Sequence, residues 1–218
     1  MEIKDAIKNR NAVRDYIDKK IDDNIIAELQ KEINTCNQQS GLHIQLVTDE
    51  PDAFGGFMAH YGKFYNVKNY IALIGKKGAD LDEKIGYYGE RLAIKAQQLG
   101  LNTCWVAMTF SKGKCRCTIE KGEKLVCVLS LGYGKTQGTP HKSKSLDTLC
   151  KVNGNMPDWF KNGMEYALLA PTAMNQQKST FSFNGNHVTA KAGLGFYTKV
   201  DLGIVKYHFE VGAGKEIF

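Results

Sequence analysis

The chain has 218 residues, 43% hydrophobic, 10% aromatic and 24% charged, with 29 basic against 23 acidic residues for a net charge of +6. These proportions exclude collagen-like, disordered and disulfide-scaffold chains, and no apolar run reaches the ~20 residues of a membrane-spanning helix. The opening Met1-Glu2-Ile3-Lys4-Asp5 has no apolar stretch of the signal-peptide kind, and six cysteines beside a full core suit reduced thiols, so a soluble cytoplasmic protein is expected.

In chain order, Ile3, Ala6 and Ile7 place a short helix over 2–9. A second helix opens at Asp22-Asp23, which suit the cap and first turn, and carries Ile25, Ile26, Leu29 and Ile33 before Ser40-Gly41. Residues 43–47 alternate like a half-buried strand, 51–69 read as a loop with short structure, and 70–74 as a strand closed by a turn at 75–78. Ile85, Gly89, Leu92, Ala96 and Leu99 recur at spacings of four and three, and Gly100 caps this central helix; Gly86 and Gly89 leave room for a second backbone. A short apolar run follows over 102–108, then a buried strand over 125–131 ending at Gly132-Tyr133-Gly134. Residues 135–144 are linker-like, with lysines at 135, 142 and 144. Pro157 starts a helix that stops before Pro171. Asn184-Gly185 joins strands 180–183 and 187–190 as a hairpin, and the β-branched run 204–211 reads as a last strand. Asn37-Gln38-Gln39 and Asn175-Gln176-Gln177 each lie between an amphipathic helix and a strand, which raises a duplicated half-domain.

Little conventional chemistry is encoded. Cys115-Arg116-Cys117 is the one close thiol pair, and the five histidines form no paired ligand motif, so no metal is expected. No nucleophile elbow, Walker-type phosphate loop or dinucleotide fingerprint is present. The basic residues are spread along the chain rather than interleaved with aromatics, which argues against nucleic acid and leaves solubility or a phosphate-bearing small molecule. Arg10 and Arg14, at the end of the first helix and one turn beyond, are two guanidinium forks able to meet one phosphate; a solvated helix end is the plainer alternative. For 171–177 the plain alternative is a helix stop with a polar turn. Trp105, Tyr61, Phe64 and Tyr65 suit either stacking on a ligand or the core.

The stretch Ile7-Lys8-Asn9-Arg10-Asn11-Ala12-Val13-Arg14-Asp15-Tyr16 resembles the opening of the FMN-dependent nitroreductase family, where Arg-x-Ser-x-Arg/Lys grips the flavin phosphate and ribityl chain. Ala170-Pro171-Thr172-Ala173-Met174-Asn175-Gln176-Gln177 is similar to its Ala-Pro-Ser-x-x-Asn-x-Gln-Pro motif, and Gly100-Leu101-Asn102-Thr103-Cys104-Trp105-Val106 to its Gly-Leu-Gly-Thr-Cys-Trp-Ile segment. Residues 128–133 resemble its Gly-Tyr strand end, and Lys142-Ser143-Lys144 its later Lys-x-Arg phosphate contact. Together these cover most of the chain. Three departures stand out: Ala12 replaces a serine, Lys178 a proline, and Thr35-Cys36-Asn37-Gln38-Gln39 stands, without proline, where the Ala-Pro-Ser motif usually lies.

The resemblance implies an α+β fold of the nitroreductase kind: a central mixed or antiparallel sheet flanked by helices, in two related halves, 1–150 and 151–218, forming an internal pseudo-dimer. It implies FMN as cofactor, NAD(P)H and a small nitroaromatic or quinone-like acceptor as partners, and a chain acting as a monomeric pseudo-dimer or a weak homodimer. Arg10, Lys142 and Lys144 would neutralise the phosphate, with Asn11 and Ala12 beside it and Arg14 at the pyrimidine edge. Trp105 would flank the ring and the Val106 and Ala107 backbone would fix its N5 side. Pro171, Thr172, Ala173, Asn175 and Gln177 would hold the ring from the other half. Hydride chemistry at N5 requires no catalytic side chain; flavin storage or sensing without turnover is the alternative.

Overall fold

Two strands in the middle of the chain are apolar on both faces, and the fold is built around them. In the computed structural model, which describes residues 1–185 and 187–218, β1 (Gln45–Val47), β2 (Asn69–Lys76), β3 (Asn102–Val106) and β4 (Glu123–Gly132) form an antiparallel sheet in the order β1-β2-β4-β3. Alternate residues of β2 point to opposite faces. Ile71 and Leu73 join Leu129 and Leu131 in one core, and Tyr70, Ala72 and Ile74 join Val128, Phe54 and Phe110 in the other. Such two-faced burial gives a continuous apolar run rather than an alternating one. The strand β2 accordingly extends through Gly75 and Lys76, which the sequence reading gave to a turn.

Helix α1 (Ile3–Asn9) leads in, and α2 (Asp23–Ser40) and α4 (Leu81–Gln98) cover one face of this sheet, with α3 (Phe57–Tyr61) a single turn within 51–69. Gly100, at φ 81°, follows α4 as expected of a left-handed stop. The triplet Asn37-Gln38-Gln39 lies inside α2, whereas Asn175-Gln176-Gln177 lies in an irregular turn, so the repeated triplet does not mark a repeated structure. The second sheet follows α5 (Leu146–Leu149): β5 (Cys150–Asn153) pairs in parallel with β6 (Ser179–Asn184), which pairs antiparallel with β7 (His187–Ala192). This hairpin and α6 (Asp158–Ala167) stand where the sequence places them.

The run 204–211 is not a strand. It is the body of α7 (Thr198–Ala213), in which residues 200–205 and 207–210 are all buried. Burial on every side erases the helical period, and tertiary packing overrides the strand preference of Ile204, Val205 and Val211. Helix α7 crosses α4 through glycines: a Cβ on Gly86 would overlap the Val200 carbonyl, and one on Gly203 would overlap the Glu83 carbonyl. Both obstructions are backbone. Gly86→Ala is therefore expected to cost about 2–3 kcal/mol from overpacking, despite the ~1 kcal/mol alanine gains in helix propensity. The check is a lowered urea midpoint with an unchanged slope.

Candidate functional site

Beyond α1 the chain becomes extended and runs alongside β3. Arg10 has φ −70° and ψ 119°, Ala12 bridges Thr103, and the Val13 N–H donates to the Thr103 carbonyl at 3.1 Å. Alternate residues of an extended segment share a side. Arg10, Ala12 and Arg14 consequently face one cavity of about 540 Å3, while Val13 enters the second core and the Asn11 side chain turns to the Gln137 carbonyl. The two arginines converge through this period of two, not through a helical turn as the spacing suggested.

The end of β3 supplies the adjoining wall, with Cys104, Trp105, Val106, Ala107 and Met108. Burial pushes the Cys104 thiol up, against the opposing pull of Arg14 and Arg10, so it stays a neutral wall residue. Phe64 belongs to the second core, with the Arg14 guanidinium 5.7 Å from its ring centre, and Tyr61 and Tyr65 are exposed.

Arg10 is only 5% exposed, yet its Nε and Nη1 have no hydrogen-bond partner. Its nearest anion is Glu90, on α4, with Oε1 3.5 Å from Nε. That carboxylate is already engaged: Oε1 accepts from His208 Nε2 at 2.9 Å and Oε2 from Trp105 Nε1 at 2.7 Å. Burial alone would raise the Glu90 carboxyl, but Arg10, His208 and Trp105 outweigh it and hold the group below the usual carboxylate range. The other His208 nitrogen faces the Tyr166 carbonyl at 3.1 Å. Arg10 also lines the cavity, so its charge can serve an anion held there, while Nε and Nη1 themselves lie out of solvent contact with hydrogen bonds unmade that cost about 1–3 kcal/mol each.

The opposite wall comes from the second half of the chain. Pro171, Thr172, Ala173 and Met174 line it together with Phe196, Tyr197, Val200, Asp201 and Ile204. Asp201, whose carboxyl burial pushes up, accepts the Ala173 N–H at 2.9 Å and the Gln176 side-chain amide at 2.7 Å.

Nine of the fourteen residues singled out from sequence meet at the cavity: Arg10, Ala12, Arg14, Trp105, Val106, Ala107, Pro171, Thr172 and Ala173. Asn11, Lys142, Lys144, Asn175 and Gln177 do not line it. Asn175 and Gln177 donate to the Lys142 carbonyl at 3.0 and 2.8 Å, and the Lys144 ammonium donates to the Gln176 and Gln177 carbonyls at 2.9 and 3.0 Å. Together they staple 142–144 to the turn behind the cavity wall. His141 still lies close enough for Arg10 and His208 to add to the burial that holds its ring below the usual histidine range.

Glu90, His208 and Asp201 were missed. The signal for Glu90 was its place in the buried stripe Gly86, Glu90, Ala93, Gln97 at helical spacing; a charge there must have a partner.

A family model described as "Putative TM nitroreductase" matches residues 2–213. Among solved structures, the chain is similar to a putative nitroreductase from Thermotoga maritima, with TM-score 0.68 and 20% identity over 97% of this chain and 83% of that one. It is also similar to a putative nitroreductase in complex with FMN from Desulfovibrio desulfuricans, with TM-score 0.55 and 12% identity over 72% and 99%. A third, a putative NADH dehydrogenase/NAD(P)H nitroreductase from Parabacteroides distasonis, gives TM-score 0.53 and 18% identity over 67% and 95%. A comparison with curated proteins found no match. Among the described residues no helix is long and apolar enough to cross a membrane.

Proposed function

Because the chain belongs to the family described as putative TM nitroreductases, we propose that it is an FMN-dependent oxidoreductase that passes hydride from NAD(P)H to a small nitroaromatic, quinone or similar acceptor. The observation that carries this is the pair Arg10 and Arg14 in the wall of a cavity of flavin-compatible size, Arg10 being buried with two donors unmet by the protein. FMN, when bound, supplies the two-electron chemistry at its N5. Arg10 binds the phosphate, and Arg14, four residues along the same extended segment, reaches the pyrimidine edge, where its charge favours an anionic reduced ring. The Val106–Ala107 backbone, where β3 ends on the cavity, orients the N5 side. Ala12 removes one hydroxyl contact to the phosphate and leaves the charge contacts in place.

In this reading Pro171, Thr172 and Ala173 close the site from the far side, as a partner subunit would in a two-chain site. Residues 151–218 then complete what 1–150 begin, and one chain encloses one cofactor. Two walls drawn from the two halves of a single chain support it. The 142–144 segment and its partners Asn175 and Gln177 serve by bracing that second wall.

Spectroscopy of the purified protein tests the proposal. Uptake of FMN with yellow absorbance, bleaching by NAD(P)H without oxygen, and recovery on adding a quinone are expected. No uptake of added FMN would end the proposal; uptake without bleaching would make the chain a flavin store or sensor.

A further inference from the structure

The strap between β3 and β4 carries a thiol pair that the flavin reading leaves unused. Neither cysteine of Cys115-Arg116-Cys117 lines the cavity, and both are free thiols. Cys115 has φ −64° and ψ 129°, and the chain runs on to Glu120 without turn or bend. Alternate residues of such a segment share a side. Cys115 and Cys117 are accordingly half-buried against the second core, whereas Arg116 and Thr118 are exposed.

Three anchors fix this stretch. The Ser111 N–H donates to the Ala53 carbonyl at 2.8 Å, and the Arg116 N–H to the Tyr70 hydroxyl at 3.0 Å. Gln45 holds both backbone groups of Thr118, at 2.9 and 2.7 Å. Tyr70 is itself held, donating to Glu50 Oε2 at 2.8 Å. The pair is ordered before any ligand arrives, which lowers the entropic cost of binding one.

The spacing selects the ligand. Cα atoms two residues apart on an extended chain are separated by about 6.4–6.8 Å, the upper limit for a disulfide, whose usual span is about 5.5–6 Å. Two sulfurs on opposite sides of one metal ion, each at about 2.3 Å, stand about 4.6 Å apart, so a bridging ion spans a gap that an S–S bond would have to close. Zinc takes four ligands, and among the described residues no group of three or more His, Cys, Asp or Glu side chains is gathered to hold a metal. Two sulfurs alone suit a soft monovalent ion.

We propose that Cys115 and Cys117 form a two-coordinate thiolate site for a soft monovalent cation, copper(I) or silver(I), separate from the flavin cavity. Two S–H bonds break, two metal–sulfur bonds form, two protons leave to solvent, and no electron moves. Burial pushes the Cys115 thiol up to about 11; the Tyr70 hydroxyl and Lys112 pull it down, and Cys117 and Glu50 push it up. Burial raises Cys117 too. The empty pair is thus protonated at neutral pH, which slows its oxidation and makes proton release a signature of the ion.

Titration of the reduced full chain, without oxygen, against the copper(I)–bicinchoninate complex tests this. One copper(I) per chain is expected, with two protons released and an affinity that rises about a hundredfold per pH unit around neutrality. Cys115→Ser and Cys117→Ser should each weaken binding about a hundredfold or more, because a hydroxyl is a hard donor that keeps its proton. Cys150→Ser, which removes the other half-buried thiol, should leave it unchanged. No uptake by the unaltered chain overturns the site, as does uptake that survives both serine variants or releases no protons. Closure of a 115–117 disulfide by glutathione disulfide, in a chain that leaves copper(I) with the chelator, would overturn it as well and make the pair a redox switch.

Discussion

Arg10→Leu is expected to abolish FMN retention while leaving a folded protein. The wild-type guanidinium is buried, and its Nε and Nη1 find no acceptor within the protein. Charge-assisted hydrogen bonds to a phosphate contribute about 1.5–3 kcal/mol each, so two of them amount to roughly 3–6 kcal/mol, or about 10²–10⁴ in affinity. The fold also loses stability, because Arg10 is the strongest of the groups that hold buried Glu90 charged, but that carboxylate keeps two other partners. Glu90 keeps Trp105 on one oxygen and His208 on the other, and the 3.5 Å approach of Arg10 is an attraction rather than a hydrogen bond. Arg10→Lys separates charge from shape: it keeps a cation beside Glu90 but loses the fork, and should retain FMN about tenfold more weakly than wild type. Flavin fluorescence titration with a thermal melt of each variant checks both. Wild-type affinity in Arg10→Leu would mean that the phosphate lies elsewhere.

The way Arg10 and Arg14 reach the cavity shows what sequence could and could not convey. Their residue types allowed an anion site beside the plainer reading of a solvated helix end, and only the resemblance favoured the first. Their geometry came out differently, since pairing with Thr103 draws the segment into an extended form and lets alternation do the converging. Helix α4 was legible because one of its sides is apolar and the rest less so. Helix α7 was not, because Asp201, Leu202, Ile204, Val205, Tyr207, His208 and Phe209 are buried around its whole circumference, and a period needs a wet face. With α7 misread as a strand, Asp201 and His208 had no reason to be near the cavity, and Glu90 lacked a visible partner. Lys142 and Lys144 show a different limit. The resemblance put two cations at the phosphate, but which acceptor an ammonium finds depends on the turn beside it, and Lys144 finds two backbone carbonyls.

Glu90→Gln should be the most damaging single change to stability, at about 3–5 kcal/mol, because it removes the charged partner of a buried cation. A glutamine has the carboxylate's shape but only one acceptor oxygen. With its oxygen on Trp105, its amide faces His208, which can accept it only by giving up the Nε2 proton it donates to the carboxylate; turned the other way, the amide meets the Trp105 donor head-on. Arg10 is left with no counter-charge in either orientation. The pH dependence identifies the cause. Glu90 has its carboxyl lowered in the folded protein, where Arg10, His208 and Trp105 overcome the raising effect of burial, from an ordinary value of 4.5. A carboxyl lowered on folding contributes stability that is fully present above its unfolded value and is lost as pH falls through the folded one. The gap in unfolding free energy between wild type and Glu90→Gln should thus be widest near neutrality and narrow progressively once the pH drops below 4.5. Urea unfolding of the two proteins across that range measures it directly. A gap of constant size would show that the lost contribution is shape rather than charge. The charge account would then fail even if the variant were as unstable as expected, and Arg10 would have to be held in place by the walls of the cavity alone.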